Sequence, residues 1–344
     1  MTAYAFWNNK GGVGKSYLSF VAACEYAYRN KHVNVYVVDL CPQANVSEIM
    51  LGSSETSDNY RKLIPDDGLR QTIGGYIERR LSSPFSPLSS IEEFMCVPNH
   101  FNKEIPENIR LIAGDYILEV LSEAMRQASQ LSVPLDSWRR VMSWVKDLVD
   151  SLRSISKYDD SFFVIDCNPS FSIYTQMALI ASDRVIVPFT ADDSSRRAIE
   201  NVFALLYGVG EGKISAYAKI SFAEKAIDFG VSLPRIHTIV NNRVSFYEGK
   251  PSKAYLAANK RVQDTVDKIY GLNQKPFFDK KLRPSGQFVE VRDYHSAAIV
   301  STLTGTPLHR LRPGPKNVKG ERVQLNKGPL DSYKDALEKF VERL

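Results

Sequence analysis

Seven residues near the start of the chain, Lys10-Gly11-Gly12-Val13-Gly14-Lys15-Ser16, have the types and spacing of a loop that wraps phosphate. Glycines at 11, 12 and 14 let the backbone curl until successive N–H groups face one anion, and a helix directly behind adds the positive end of its dipole. Lys15 then reaches the β- and γ-phosphates. The Ser16 hydroxyl serves Mg²⁺, an oxygen-seeking ion that keeps most of its waters. Lys10, Gly11, Gly12, Val13, Gly14, Lys15, Ser16 and Tyr17 are therefore the candidate nucleotide-binding set, with ATP and Mg²⁺ as the expected ligands. Two carboxylates join them. Asp39 closes the β-branched run 33–39 and Asp166 closes the apolar run 162–166, both at strand ends, where ligands sit in open α/β sheets. Asp166 suits a Walker B role, holding Mg²⁺ through its water shell opposite Ser16.

These groups need a frame. The run Ala3–Trp7 reads as the first strand and Lys15–Arg29 as a helix with Leu18, Val21, Ala22 and Tyr26 on one face. Further strands are expected at 33–39, 108–114, 162–166, 183–188 and 236–240, the last followed by Asn241-Asn242-Arg243. Helices are expected at 69–80, from Asp115 through Met125, at 135–154, 170–181, 192–208 and 330–344. Ser82–Ser90 reads as a loop or lid, Ser90 with Glu93 as the cap of a short helix, and the Pro- and Gly-rich stretch 305–328 as an extended connection. Strands alternating with helices imply an α/β fold, a mostly parallel twisted sheet with helices on both faces. Residues 1–344 are expected to form one elaborated P-loop domain, with an insertion at 52–108 and a basic C-terminal region at 243–344.

Composition narrows the class. Apolar residues make up 44% and charged residues 24%, ordinary values for a packed domain. No stretch approaches the roughly 18 apolar residues of a membrane span, and no leader opens the chain, so a cytoplasmic protein without membrane association is expected. Cys24, Cys41, Cys96 and Cys167 form no close pair, which suggests neither a zinc site nor a disulfide framework. None of the five histidines has metal or triad spacing. Charge is uneven: residues 235–344 carry 21 Lys and Arg against 11 Asp and Glu, while residues 1–234 carry 23 against 28. A polyanion partner such as DNA fits that asymmetry, with Lys250, Lys253, Lys280, Lys281, Arg283, Arg310, Arg312 and Lys316 as contact candidates.

The loop with its extra leading lysine resembles the deviant Walker A box of the ParA/MinD superfamily, KGGVGK[ST]. Asp39-Leu40-Cys41-Pro42-Gln43-Ala44-Asn45 resembles that family's DxDPQ[AG]N switch segment, Asp166-Cys167-Asn168-Pro169-Ser170 its D-C-P-P-S, and 183–188 its DRVIVP. The resemblance implies an ATP-sandwich homodimer in which Lys10 crosses to the partner's phosphates. It also implies nonspecific DNA binding at the nucleoid, release when a ParB-like partner stimulates hydrolysis, and adenine contacts from Asn242 and Arg243. Catalysis would fall to Lys10, Lys15 and Asp39.

One position departs from the pattern. Cys41 stands where the family has its second switch aspartate, a residue tied to the attacking water, and a neutral thiol is no base near pH 7. Either hydrolysis is slow or the protein is an ATP-dependent clamp that barely turns over. A MinD-like positioning protein that recruits a protein cargo without DNA is the alternative function. The last helix, with the stripe Leu330, Tyr333, Leu337, Phe340, Val341 and Leu344, mixes acids with its lysines, which fits docking on the sheet better than a membrane surface.

Overall fold

A computed structural model describes residues 2–52, 56–65, 67–156, 160–192, 194–210, 213–244, 246–247, 250–251, 253–281 and 283–344. Seven strands form the central sheet: β1 (Thr2–Phe6), β2 (Asn34–Leu40), β3 (Ile109–Ile112), β4 (Ser161–Cys167), β5 (Arg184–Phe189), β6 (Arg235–Val244) and β7 (Val289–Arg292). Their order is β3-β2-β4-β1-β5-β6-β7, with every pair parallel. A parallel strand is covered on both faces, so it reads as a continuous apolar run. β2 and β4 are buried at every position. Because β1 lies between β4 and β5, the strand order switches beside it, and a crevice opens there at the carboxyl ends. The register sets Phe6 against Asp166 and Asp166 against Asp39, so three strands end at one height.

Two apolar layers hold the sheet. On one face the helices Lys15–Arg29, Asn45–Leu51, His295–Thr304 and Lys327–Val341 pack on Tyr4, Phe6, Val35, Val37, Phe162 and Val164. The other face, with Tyr36, Val38, Phe163 and Ile165, is covered by Ile73–Ser82, Ile117–Ser129, Trp144–Ile155, Ile173–Ile180, Ser195–Tyr207 and Lys253–Leu272. Tyr26 stacks on Phe162 with ring centres 3.8 Å apart, and Tyr36 stacks on Phe163 at 4.9 Å. Phe162, Phe163 and Tyr36 are buried, and each contributes about 2 to 3 kcal/mol by leaving water, while Tyr26 is partly buried. The final helix docks as its charge pattern predicts: Leu330, Tyr333, Leu337, Phe340 and Val341 are buried, and Tyr4 Oη donates to the Leu344 carbonyl at 2.6 Å. Among the described residues no helix is long and apolar enough to cross a membrane.

Several elements differ from the periodicity. The helix expected over 135–154 is two helices, Ser137–Met142 and Trp144–Ile155, broken at Ser143. The break turns Trp144 into the core, where its indole N–H donates to the Pro84 carbonyl at 2.8 Å and Arg80 lies over its ring. Leu135 is left exposed outside both helices. Residues 305–328 are not merely extended: they hold a short turn of helix, Leu308–Arg310, and an antiparallel hairpin, Gly314–Val318 with Glu321–Leu325. Proline and glycine signal a turn, and here the turn is flanked by paired strands, a long-range fact that composition does not carry. The helix expected over 69–80 starts at Ile73, held by its Thr72 cap. Ser90 does not cap a helix backbone; its hydroxyl donates to the Glu92 carboxylate at 3.1 Å. The stretch 52–108 is also built into the core, with Ile73, Tyr76, Ile77 and Phe94 buried.

Candidate nucleotide site

The loop between β1 and its helix is fastened from two sides. Asn8, fully buried, donates to the Pro188 carbonyl at 2.7 Å and accepts from the Lys10 N–H at 3.0 Å, which ties the loop's start to β5. Asn242, on β6, donates to the Val13 carbonyl at 3.0 Å and so ties down its far end. Gly14 sits at φ +87°, and a Cβ there would meet the Asn242 side chain at 2.2 Å, so both conformation and space demand glycine. The loop borders a cavity of about 670 Å³ whose lining includes Gly12, Lys15, Ser16, Cys41, Cys167 and Arg243. Lys15 is only 7% exposed, and its ammonium donates to the Lys10 carbonyl at 3.1 Å. Burial lowers its pKa, and the nearby Asp166 resists the shift. A desolvated cation of this kind gains most when an anion enters.

Asp166 and Asp39 are in register on β4 and β2, and both are fully buried. Asp166 accepts from the Ser19 hydroxyl at 3.1 Å through Oδ1, while its Oδ2 is buried and accepts from no partner among the described residues. Burial raises the pKa of Asp166, with Ser16, Lys15 and Ser19 pulling it back toward the ionised form. A bare acceptor oxygen beside a serine hydroxyl fits a hydrated Mg²⁺, which takes hard oxygen donors. Asp39 is placed identically but is saturated: Oδ1 accepts from the Cys41 N–H at 3.0 Å, and Oδ2 from the Ser47 N–H at 3.1 Å and the Ser47 hydroxyl at 2.7 Å. Burial and the neighbouring Asp166 raise its pKa against those three donors. Ser47 in turn accepts from the Gly114 N–H at 2.9 Å, and a Cβ on Gly114 would come within 2.8 Å of the Asp39 carboxyl. Asp39 thus pins the start of helix Asn45–Leu51 to β3.

Cys41 lines the cavity with its thiol pushed up to about 12 by burial, Asp39 and Asp166. It stays protonated at neutral pH. All four cysteines are free and buried. Lys10, the second lysine of the loop, forms an ion pair with Asp192 of its own chain, just before the helix Ser195–Tyr207. Burial works to raise the Asp192 pKa, but donors from Lys10, Ser194 and Ser195 outweigh it and hold the carboxyl below the usual range.

The remaining candidates divide. Arg243 adopts φ +62°, which turns it to line both the main cavity and an adjoining one of about 290 Å³ that also includes Tyr17, Asp293 and Tyr333. β6 runs on through Val244, so Asn241, Asn242 and Arg243 lie within the strand rather than beyond it. The side chains of Lys250 and Lys253 lie outside the described residues. Lys280, Lys281 and Arg283 follow helix Lys253–Leu272, where Tyr270 donates to the Lys280 carbonyl and Ser285 binds Asp267. Arg310 and Arg312 sit against the opposite layer, next to the Leu308 and Leu311 core residues, and Lys316 lies on the hairpin. The basic candidates are therefore spread over both faces of the sheet. Sequence reasoning missed Asn8, Ser47 and Asp192, polar residues at strand or helix ends whose partners are distant in the chain.

A family model described as an AAA domain matches residues 1–213. No curated protein matches. Among solved structures, an ATP complex of McdA from Cyanothece is 14% identical, with a TM-score of 0.60 over 100% of this chain and 96% of that one. A plasmid partition protein from Borrelia burgdorferi B31 bound to AMPPNP is 17% identical, with a TM-score of 0.55 over 100% and 99%. The ParA of pNOB8 is 15% identical, with a TM-score of 0.56 over 99% and 96%. At such identities the likeness is one of fold. With a family match over residues 1–213 and a lysine-led, glycine-rich loop at the switch point of a parallel sheet, this chain belongs to the family described as an AAA domain, and it shares its fold with these partition-protein structures.

Proposed function

We propose that the chain is a slow ParA-type ATPase that closes as an ATP-sandwich dimer. The observation that supports this reading is that Lys15, Ser16 and Cys167 line one cavity at the switch point of the sheet, with the buried Asp166 directly before Cys167 on β4. In it the loop N–H groups and Lys15 neutralise the triphosphate, and Ser16 with Asp166 would hold Mg²⁺ through water. The chemistry such an ion would supply is to offset the charge that builds on the phosphates during transfer. Lys10 leaves Asp192 and crosses to the second subunit's nucleotide. Arg243 and the pocket beside it face the base. Turnover is slow because both oxygens of Asp39 are spent on hydrogen bonds and the Cys41 thiol is neutral, so the switch segment positions water without a strong base. Phosphoryl transfer by positioning and electrostatics alone still proceeds.

Fixed to this cycle are nonspecific DNA binding by the basic C-terminal residues and stimulation by a ParB-like partner. A second reading, a MinD-like clamp that recruits protein cargo without DNA, is favoured by one observation, the division of Lys280, Lys281 and Arg283 from Arg310 and Arg312 by the sheet. The test is phosphate release by wild type and Cys41→Asp, with light scattering on Lys10→Ala in a slowly cleaved ATP analogue. A gain of about tenfold or more with Cys41→Asp, and loss of assembly with Lys10→Ala, are expected. Assembly unaffected by Lys10→Ala overturns the sandwich. A DNA pull-down that ignores both ATP and salt overturns the DNA arm and leaves the clamp.

A further inference from the structure

The hairpin Gly314–Val318 with Glu321–Leu325 turns through two residues, Lys319 at φ +50° and Gly320 at φ +87°. A two-residue turn with both φ positive matches the right-handed twist of the strands, and Asn-Gly or Asp-Gly is its usual filling. Here a lysine holds the first position, in a left-handed conformation that its Cβ makes costly. Strain of this kind persists only where the surroundings enforce it, and it gathers at ligand clamps. The surroundings do enforce it. Asn317 Oδ1 accepts from the Gly320 N–H at 3.0 Å, Val318 and Leu325 are buried beneath the tip, and the hairpin rests on helix His295–Thr304.

That tip stands at the mouth of the phosphate-loop cavity, which Lys319 lines together with Gly12, Lys15, Ser16 and Glu48. Lys319 is exposed and, among the described residues, makes no ion pair. Its charge is felt across the mouth by Glu48, on the helix that follows the switch segment. We propose that Lys319 is a phosphate ligand acting in cis, a third cation that the hairpin folds over the phosphate chain of the nucleotide bound by its own subunit. This rests on the nucleotide site proposed above. An ammonium on a four-carbon stem is suited to the task, since it needs no fixed plane and can reach a phosphate from a rigid base several ångströms away. Glu48 lies across the same mouth, so its charge attracts Lys319 without forming an ion pair with it.

Calorimetric titration of ATP, ADP and adenosine into wild type, Lys319→Gly and Lys319→Arg tests the assignment. Lys319→Gly removes the charge and also relieves the backbone, so its thermal midpoint should hold or rise while ATP and ADP affinity falls about tenfold. Lys319→Arg should bind within about threefold of wild type, and adenosine binding should not change. ATP binding by Lys319→Gly equal to that of wild type overturns the inference while leaving the nucleotide site standing. An equal loss for adenosine overturns the phosphate contact. Failure of wild type to bind ATP removes both readings.

Discussion

The turn after β2 and the turn after β4 deliver a carboxylate to the same height of the sheet, side by side and out of water, yet the two regions use it differently. After β2 the chain doubles back within a few residues, and the N–H groups of Cys41 and Ser47 with the Ser47 hydroxyl close around Asp39. After β4 it runs on toward helix Ile173–Ile180 and leaves one oxygen of the buried Asp166 without a donor among the described residues. An ionised group out of water needs donors or a cation. Asp39 finds its donors in the protein, so it acts as an anchor for the switch helix. Asp166 keeps one oxygen without a protein donor among the described residues, which suits it to the metal role proposed above. Strand register places a residue, but the following loop decides whether the residue is structural or available.

That contrast can be broken by substitution. The largest effect is expected from Asp166→Asn, which should cut ATP turnover by about 1000-fold or more if Asp166 holds Mg²⁺ as proposed. The urea midpoint of the nucleotide-free protein should stay or rise, since a buried charge with one oxygen lacking a donor disappears. A collapsed midpoint would place Asp166 with the anchors. Asp39→Ala should do the reverse: two backbone N–H groups and a hydroxyl lose a charged acceptor, and stability should drop by about 3 kcal/mol in urea, with Asp39→Asn losing less. Stability within about 0.5 kcal/mol of wild type would mean that Asp39 anchors nothing.

The smallest effect sharpens the comparison at the loop itself, where Lys15 is buried and Lys10 is held by Asp192 near the surface. Because that pair is largely solvated, Asp192→Ala should change stability by less than about 1 kcal/mol. It should also raise the fraction of dimer seen by light scattering with an ATP analogue, since Lys10 no longer has to leave a partner. A lower dimer fraction would show that Asp192 aims Lys10 rather than restrains it.

Much of this arrangement is legible in the chain because it is written in short-range chemistry. The glycine spacing of the loop, the helix behind it and the apolar runs that end in Asp39 and Asp166 all rest on neighbours within a few residues, which is why six strands fall where periodicity puts them, whereas the short edge strand β7 is not among those expected. Ser143 defeated the helix expected over 135–154 because Trp144 gains a buried hydrogen bond to Pro84, sixty residues away. The hairpin at 314–325 escaped notice because its pairing and its support from helix His295–Thr304 are both matters of assembly.

The sequence by itself determined that a glycine-rich loop follows the first strand of a parallel sheet and that Asp39 and Asp166 lie at the ends of two others, since backbone curl and strand burial depend on local residue type. Only the tertiary structure decided that Asp39 is saturated and Asp166 is not, that Asn242 clamps the loop and that Lys10 waits on Asp192. The physical reason is that a polar group's role follows from which donors and acceptors surround it once water has been expelled, and those partners come from segments far apart in the chain.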